Sequence, residues 1–198
     1  MPTLIVPFAG AAGKTRLDAP APVRREISLA MLGDVLEAAV AVGETIVVTT
    51  DMDGVALART LGASVADDPG GGQGAAVEAA LAGVDGPVLL VNADLPCATA
   101  ADLSRLAALD GFALVEARDG TTNALALPGA DAFAPLYGAG SAARFRAHAE
   151  ARGLDVVSVS LENLVDDVDT LDDLRRVAPR LGPRTRACLE RQLQEAPA

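Results

Sequence analysis

Val88-Leu89-Leu90-Val91-Asn92-Ala93-Asp94-Leu95-Pro96 is the stretch whose reading decides the fold. Four apolar residues in succession, with no polar alternation, suit a strand buried on both faces of a parallel sheet. Pro87 and Pro96 mark its ends, because proline interrupts a strand ladder. Asp94 then falls just past the carboxyl end of a central strand, where open α/β sheets place their ligands. A carboxylate there is a metal ligand or a loop cap. Leu95-Pro96 fixes the chain direction immediately after it.

Outward from this strand the chain alternates. Leu4-Ile5-Val6-Pro7 reads as a first strand, followed by the small-residue loop Ala9-Gly10-Ala11-Ala12-Gly13 and then Lys14-Thr15-Arg16-Leu17. Residues 18–22 are turn-like. Ile27, Met31, Leu32, Val35, Leu36, Ala39 and Val40 recur at helical spacing across residues 24–42, and Gly43 ends the run. Residues 45–50 predict a second buried strand, 55–61 a short helix and 64–66 a third strand. The loop Asp67-Asp68-Pro69-Gly70-Gly71-Gly72-Gln73-Gly74 leads into a helix over 75–82.

Beyond the central strand, Thr99 and Asp102 form a helix start for a segment ending near Leu109. Residues 112–117 predict a strand, and 121–127 an antiparallel strand behind the Asp119-Gly120 turn. Ser141 opens a helix to Arg152, residues 156–159 a strand, and Thr170 with Asp173 another helix. A final amphipathic helix covers about 184–193, and residues 195–198 are expected to fray. Strands alternating with helices predict an α/β fold: one domain, with a doubly wound, mostly parallel sheet, right-handed crossovers and a short antiparallel element. No repeat or linker divides the 198 residues, a length sufficient for one core.

Half the residues are apolar, yet no run approaches a membrane span and no segment reads as a signal peptide. A net charge of −11 argues against nucleic acid or an anionic membrane as partner. It leaves room for a phosphorylated small molecule where a basic cluster or a divalent metal is present. Cys97 and Cys188 lack metal spacing and read as unpaired thiols of a cytoplasmic chain. Lys14 is the sole lysine against fifteen arginines.

Three constellations can carry chemistry. A small-residue loop after the first strand can bring backbone N–H groups to a phosphate, with Lys14 and Arg16 adding charge. It lacks the glycine spacing of a P-loop, and a plain βα turn would look similar. A lone ammonium in an arginine-using chain nevertheless suits a phosphate. Asp167 and Asp169, two apart in an extended segment, project to the same side. With Asp94 they can hold Mg²⁺, a hard cation that prefers oxygen. Spacing alone equally allows a solvated acidic helix start. Tyr137-Gly138-Ala139-Gly140-Ser141 would form an anion nest at a serine-capped helix, with Arg144 one turn in to offer a fork; an ordinary N-cap fits the same pattern. His148 carries no catalytic mark, and no serine sits in an elbow context. Two nests, a lysine loop and paired acids point to phosphoryl or nucleotidyl transfer.

Lys14-Thr15-Arg16-Leu17, Met31-Leu32-Gly33-Asp34-Val35-Leu36, Ala93-Asp94-Leu95-Pro96, Asp119-Gly120-Thr121-Thr122-Asn123-Ala124-Leu125, the stretch from Phe133 through Gly138 and Ser141 to Arg146, and Asp167-Val168-Asp169-Thr170-Leu171-Asp172-Asp173-Leu174 occur in one order along nearly the whole chain. In this the chain resembles the phosphoenolpyruvate and 2-phospho-L-lactate guanylyltransferases of coenzyme F(420) biosynthesis, relatives of the molybdenum-cofactor guanylyltransferases. The Asp-Gly-Thr-Thr-Asn block followed by Tyr-Gly-x-Gly-Ser is its most specific part. The chain departs where the family has an early lysine in the first loop, here Phe8-Ala9-Gly10. It departs again where the family has Leu-Asn after the triple glycine, here Gln73-Gly74.

The resemblance implies a Rossmann-like nucleotidyltransferase fold in which the phosphate of a three-carbon acid attacks the α-phosphorus of GTP and pyrophosphate leaves. Lys14 and Asp94 are then catalytic, and Asp94, Asp167 and Asp169 hold Mg²⁺. Arg16 neutralises the triphosphate. Thr122, Gly138, Ser141 and Arg144 hold substrate, and Gly13, Gly72 and Gln73 contact the nucleotide. Phosphoenolpyruvate is the expected acid, with 2-phospholactate and 3-phosphoglycerate as alternatives. A molybdopterin-type nucleotidyltransferase and a non-catalytic nucleotide-binding module are the other readings. A downstream enzyme accepting the unstable product and a second copy of the chain are candidate partners.

Overall fold

The computed structural model describes residues 1–10 and 14–195. Its strands are β1 (Thr3–Pro7), β2 (Glu44–Val48), β3 (Ser64–Ala66), β4 (Val88–Val91), β5 (Phe112–Glu116), β6 (Thr122–Leu127) and β7 (Val156–Ser158). Its helices are α1 (Ala21–Val40), α2 (Met52–Thr60), α3 (Gln73–Leu81), α4 (Ala100–Ala107), α5 (Ser141–Ala151), α6 (Glu162–Val165), α7 (Leu171–Val177) and α8 (Pro183–Glu195). The strands form one sheet in the order β3-β2-β1-β4-β6-β5-β7. β6 is antiparallel to both its neighbours, β4 and β5, while the other pairs are parallel. The doubly wound, mostly parallel α/β sheet with one antiparallel element is therefore observed.

β4 shows why an unbroken apolar run is needed. Leu89 and Val91 enter the core on one face, against Leu32, Val35 and Leu36 of α1 and Leu103 and Leu106 of α4. Val88 and Leu90 enter the core on the other, against Val77 and Leu81 of α3 and Phe145 of α5. All four are 1% exposed or less. Burial of such side chains is worth about 1.5–3 kcal/mol each, so a polar residue at any of them would be costly. A third cluster joins Ile27 and Met31 of α1 to Leu174, Val177 and Cys188 of α7 and α8.

The helix starts differ from expectation. α1 begins at Ala21, with Pro22 in its first turn rather than in a preceding loop, a position where its missing N–H costs nothing. α2 begins at Met52 because Asp51 caps it, accepting from the backbone N–H groups of Asp53 and Gly54. α3 begins at Gln73 rather than Ala75, after three glycines with φ of +80°, +90° and +93°. Ser141 is the first residue of α5 and not its cap; the cap position is Gly140, in the left-handed region and with no side-chain bond. The one-turn helix α6 had no sequence signal. α7 carries the expected capping box between Thr170 and Asp173.

The C-terminal helix is tied down by a buried carboxylate from elsewhere in the chain. Asp34 on α1, 4% exposed, accepts from the backbone N–H groups of Arg184 and Thr185, both at 2.9 Å. A Cβ on Gly182 would lie 2.4 Å from its Cγ, so glycine is required there.

Candidate active site

The parallel strands β1, β2 and β4 end on one rim, and because β6 runs backwards its first residues reach the same rim: Val91 pairs with Ala124. Chain segments leaving or entering these strands therefore converge. After β1 the chain runs through Phe8 and Gly10, where φ is +74° and a Cβ would sit 2.7 Å from Asp51 Oδ2. After β4 it runs through Asn92 to Asp94. The acidic segment 166–169 lies alongside, held by the Val168 N–H donating to the Asp94 carbonyl at 3.0 Å. Val168 is fully buried. Period-two geometry then sends Asp167 and Asp169 to one side and Asp166 to the other.

Asp94, Asp167 and Asp169 each offer a carboxylate oxygen to one cluster, all within 4.8 Å of one another. Lys14 Nζ bridges two of them, 2.5 Å from Asp94 Oδ2 and 2.7 Å from Asp169 Oδ1. Arg16 pairs with the other oxygen of Asp169. Burial works against the Lys14 charge, but Asp94 and Asp169 outweigh it and hold its pKa above the ordinary value. Among the described residues Asp167 pairs with no cation. Burial, with Asp94 and Asp169 beside it, pushes its carboxyl up to about 6. Among the described residues Asp94 Oδ1 is buried with no hydrogen-bond partner, a costly state for a carboxylate oxygen. Together these features suit a hard divalent cation with oxygen ligands.

Asn123, 1% exposed on β6, braces the acids. Its Nδ2 donates to the carbonyls of Leu164 and Val165 at 2.9 and 3.1 Å, and lies 3.4 Å from Asp167 Oδ1. On the opposite side Asp166, 1% exposed at its side chain, is gripped by Arg118 and Arg180 and lies 3.4 Å from Arg176. The segment is thus fixed from both sides.

A cavity of about 270 Å³ extends from Lys14, Asp94 and Asp169 to Phe8, Gly72 and Gln73. Gln73 also borders a second cavity with Tyr137 and Gly138. Gly72, with φ of +93°, faces open space, since a Cβ there would meet nothing within 4 Å. Gly13 lies outside the described residues. Thr122 and Ser141 are brought together: the Ser141 hydroxyl donates to Thr122 Oγ1 at 3.1 Å, with both residues 2% exposed or less. The expectation for Arg144 needs correction. Its guanidinium donates to the carbonyls of Leu136, Tyr137 and Ala139, so it braces the glycine loop instead of presenting a free fork. Asn92 and Asn123 were not singled out from sequence. Asn123 was visible within the Asp-Gly-Thr-Thr-Asn block, while nothing local marked Asn92.

A family model described as "Guanylyl transferase CofC like" matches residues 2–179. The phosphoenolpyruvate guanylyltransferase of Streptomyces coelicolor is 40% identical, covering 96% of this chain and 97% of its own. The 2-phospho-L-lactate guanylyltransferase of Natrialba magadii is 36% identical over 88% of this chain and 82% of its own. A nucleotidyl transferase from Methanothermobacter thermautotroptrophicus shares the fold, with a TM-score of 0.64 at 19% identity over 96% of this chain and 99% of its own. The chain is a nucleotidyltransferase and belongs to the CofC-like guanylyl transferase family.

Proposed function

We propose that this protein joins the GMP moiety of GTP to the phosphate of phosphoenolpyruvate, releasing pyrophosphate. The observation that carries this is the acid cluster with Lys14 set into it, bordering a cavity whose lining also includes Phe8, Gly72, Gln73 and Asp68. A phosphate oxygen of the acid attacks the α-phosphorus in line, a new P–O bond forms, and the bond to the β-phosphate bridging oxygen breaks. The attacking phosphate is already anionic, so positioning and charge neutralisation supply the catalysis. Asp94, Asp167 and Asp169 fit Mg²⁺, which when bound supplies charge neutralisation at the reacting phosphates. Lys14 and Arg16 neutralise the triphosphate and the leaving pyrophosphate. Gly138 borders the neighbouring cavity, and with the Thr122–Ser141 hydroxyl pair it makes the part of the site we assign to the acid. The product is a phosphoanhydride, prone to hydrolysis, which favours hand-over to an enzyme that consumes it. Cytoplasmic residence fits the two buried free thiols; among the described residues no helix is long and apolar enough to cross a membrane.

The Natrialba magadii relative favours 2-phospho-L-lactate as a second reading. Pyrophosphate release from GTP and Mg²⁺, followed by mass analysis of the product from an equal mixture of phosphoenolpyruvate, 2-phospholactate and 3-phosphoglycerate, decides between them. A product mass matching phosphoenolpyruvate is expected. Absence of pyrophosphate release with every acid would sink the assignment.

A further inference from the structure

Gln73 opens α3 on the wall of the 270 Å³ cavity, and hydrogen bonds running back into the sheet fix which way its amide faces. Asn92 sets the direction. Its backbone N–H donates to the Asn123 carbonyl at 3.0 Å, and its Nδ2 donates to the Thr122 carbonyl at 3.1 Å. A carbonyl can only accept, so the Asn92 nitrogen must face β6 and its Oδ1 must face away. Gln73 Nε2 donates to that Oδ1 at 2.6 Å. Flipping the Gln73 amide would set two acceptor oxygens against each other. Gln73 Oε1 is therefore left as an acceptor, and among the described residues no hydrogen bond to it is found.

The cavity is divided chemically. Lys14, Asp94 and Asp169 make one end fit for phosphates and their counter-cation. Gln73 shares the lining with Phe8, Gly72 and Ala76, and Asp68 adds a further acceptor. A Cβ at Gly72 would meet nothing within 4 Å, so the lining leaves space there for a flat ring to approach the backbone. Among purines, guanine presents two adjacent donors on one edge, N1–H and the exocyclic N2 amine. Adenine presents N1 as an acceptor and a C–H there. A wall of fixed acceptors matches guanine and opposes adenine.

We propose that Gln73 Oε1 accepts a hydrogen bond from the exocyclic amine of guanine, and that Asn92 is the positioning residue that keeps this oxygen turned toward the base. The inference rests on the GTP reading above and adds the device that selects the base. A site built around a hydrogen bond rejects the analogue lacking its partner, because a buried polar group is then left unpaired.

The test compares kcat/KM for GTP, ITP (which lacks the 2-amino group) and 2′-deoxy-GTP in the parent enzyme, Gln73→Leu and Asn92→Leu, with thermal melts to establish folding. The parent is expected to prefer GTP over ITP by about tenfold or more. Both variants are expected to bring that ratio to about one, through the KM for GTP. The parent comparison needs no substitution, so a misfolded variant leaves the proposal open to refutation. GTP and ITP used equally by the parent, or a Gln73→Leu enzyme keeping the parent's ratio, would overturn it. So would a Gln73→Leu effect confined to the deoxy analogue, which would put Oε1 on the ribose. Pyrophosphate release by the parent with none of the three would instead defeat the GTP reading, and this inference with it.

Discussion

Lys14 Nζ lies 2.5 Å from Asp94 Oδ2, so the exits of β1 and β4 meet in an ion pair inside the acid cluster. The same ammonium reaches Asp169, and it neutralises one of three carboxylates that a cation would otherwise have to hold together. Replacing it with methionine is expected to lower kcat/KM by about 10²–10³-fold, the scale of losing one preorganised charge at a reacting centre. The same variant should bind Mn²⁺ more tightly than the parent when no nucleotide is present, because an ammonium no longer competes for Asp94 and Asp169. Calorimetry with Mn²⁺ reads this directly; weaker binding would mean that Lys14 shapes the cluster rather than competes within it.

Asn123 reaches the carbonyls before the acidic segment and the Asp167 carboxylate with one amide nitrogen. Asn123→Ala is expected to reduce Mn²⁺ affinity and turnover by about 10–100-fold, the usual cost of removing a group that orients a ligand. A variant that loses turnover while keeping parental Mn²⁺ affinity would contradict this placement.

Asp166 supplies a pH signature. Burial alone would raise its carboxyl, but Arg118 and Arg180 outweigh burial and hold it down at about 2, against an ordinary 3.8. A depressed folded-state value means that the stabilisation is fully present above 3.8 and is lost as the pH falls toward about 2. Arg180→Ala should cost about 1.5–3 kcal/mol at pH 7, nearer the lower figure because Arg118 and Arg176 remain. Urea melts should show the gap between parent and variant narrowing between pH 4 and pH 2; an unchanged gap would count against the ion cluster as its source.

Asp34 caps a helix 150 residues away in sequence. Asp34→Ala removes the partner of two N–H groups and is expected to cost about 2 kcal/mol, the upper end for a helix cap. That corresponds to a melting temperature lower by about 4–8 °C for a chain of this size. Amide exchange should accelerate first in α8, and activity measured well below the transition should be kept. Uniform acceleration across the sheet would show that Asp34 supports the core as a whole.

Much of this was legible in the sequence because periodicity encodes it. The run at β4 announces a strand covered on both faces, and Asp167 and Asp169 announce a shared side by being two apart. The capping box at Thr170 is local and was read locally. What was not legible depends on partners distant in sequence. Arg144 looked like a free fork until its guanidinium was found against the carbonyls of its own loop. Gln73 looked like a departure of uncertain effect until Asn92, nineteen residues on, was found to orient it. Ser141 looked like a cap because serine commonly is one, but a buried hydroxyl facing Thr122 prevailed.

The reversal of β6 has a consequence for how such an enzyme can diversify. Parallel strands deliver only their last residues to the reactive rim, and each is followed by a helix that cannot be altered without disturbing a layer of the core. A strand inserted head-down delivers its first residues instead, and it is reached through the tight turn at residues 117–121. That turn is tied in at two points: the Ala142 N–H of α5 donates to the Gly120 carbonyl at 3.3 Å, and Arg118 grips Asp166. A relative's turn grafted at 117–121 leaves the sheet in place, but it must keep a cation at position 118 if the acidic segment is to stay where Asp166 anchors it.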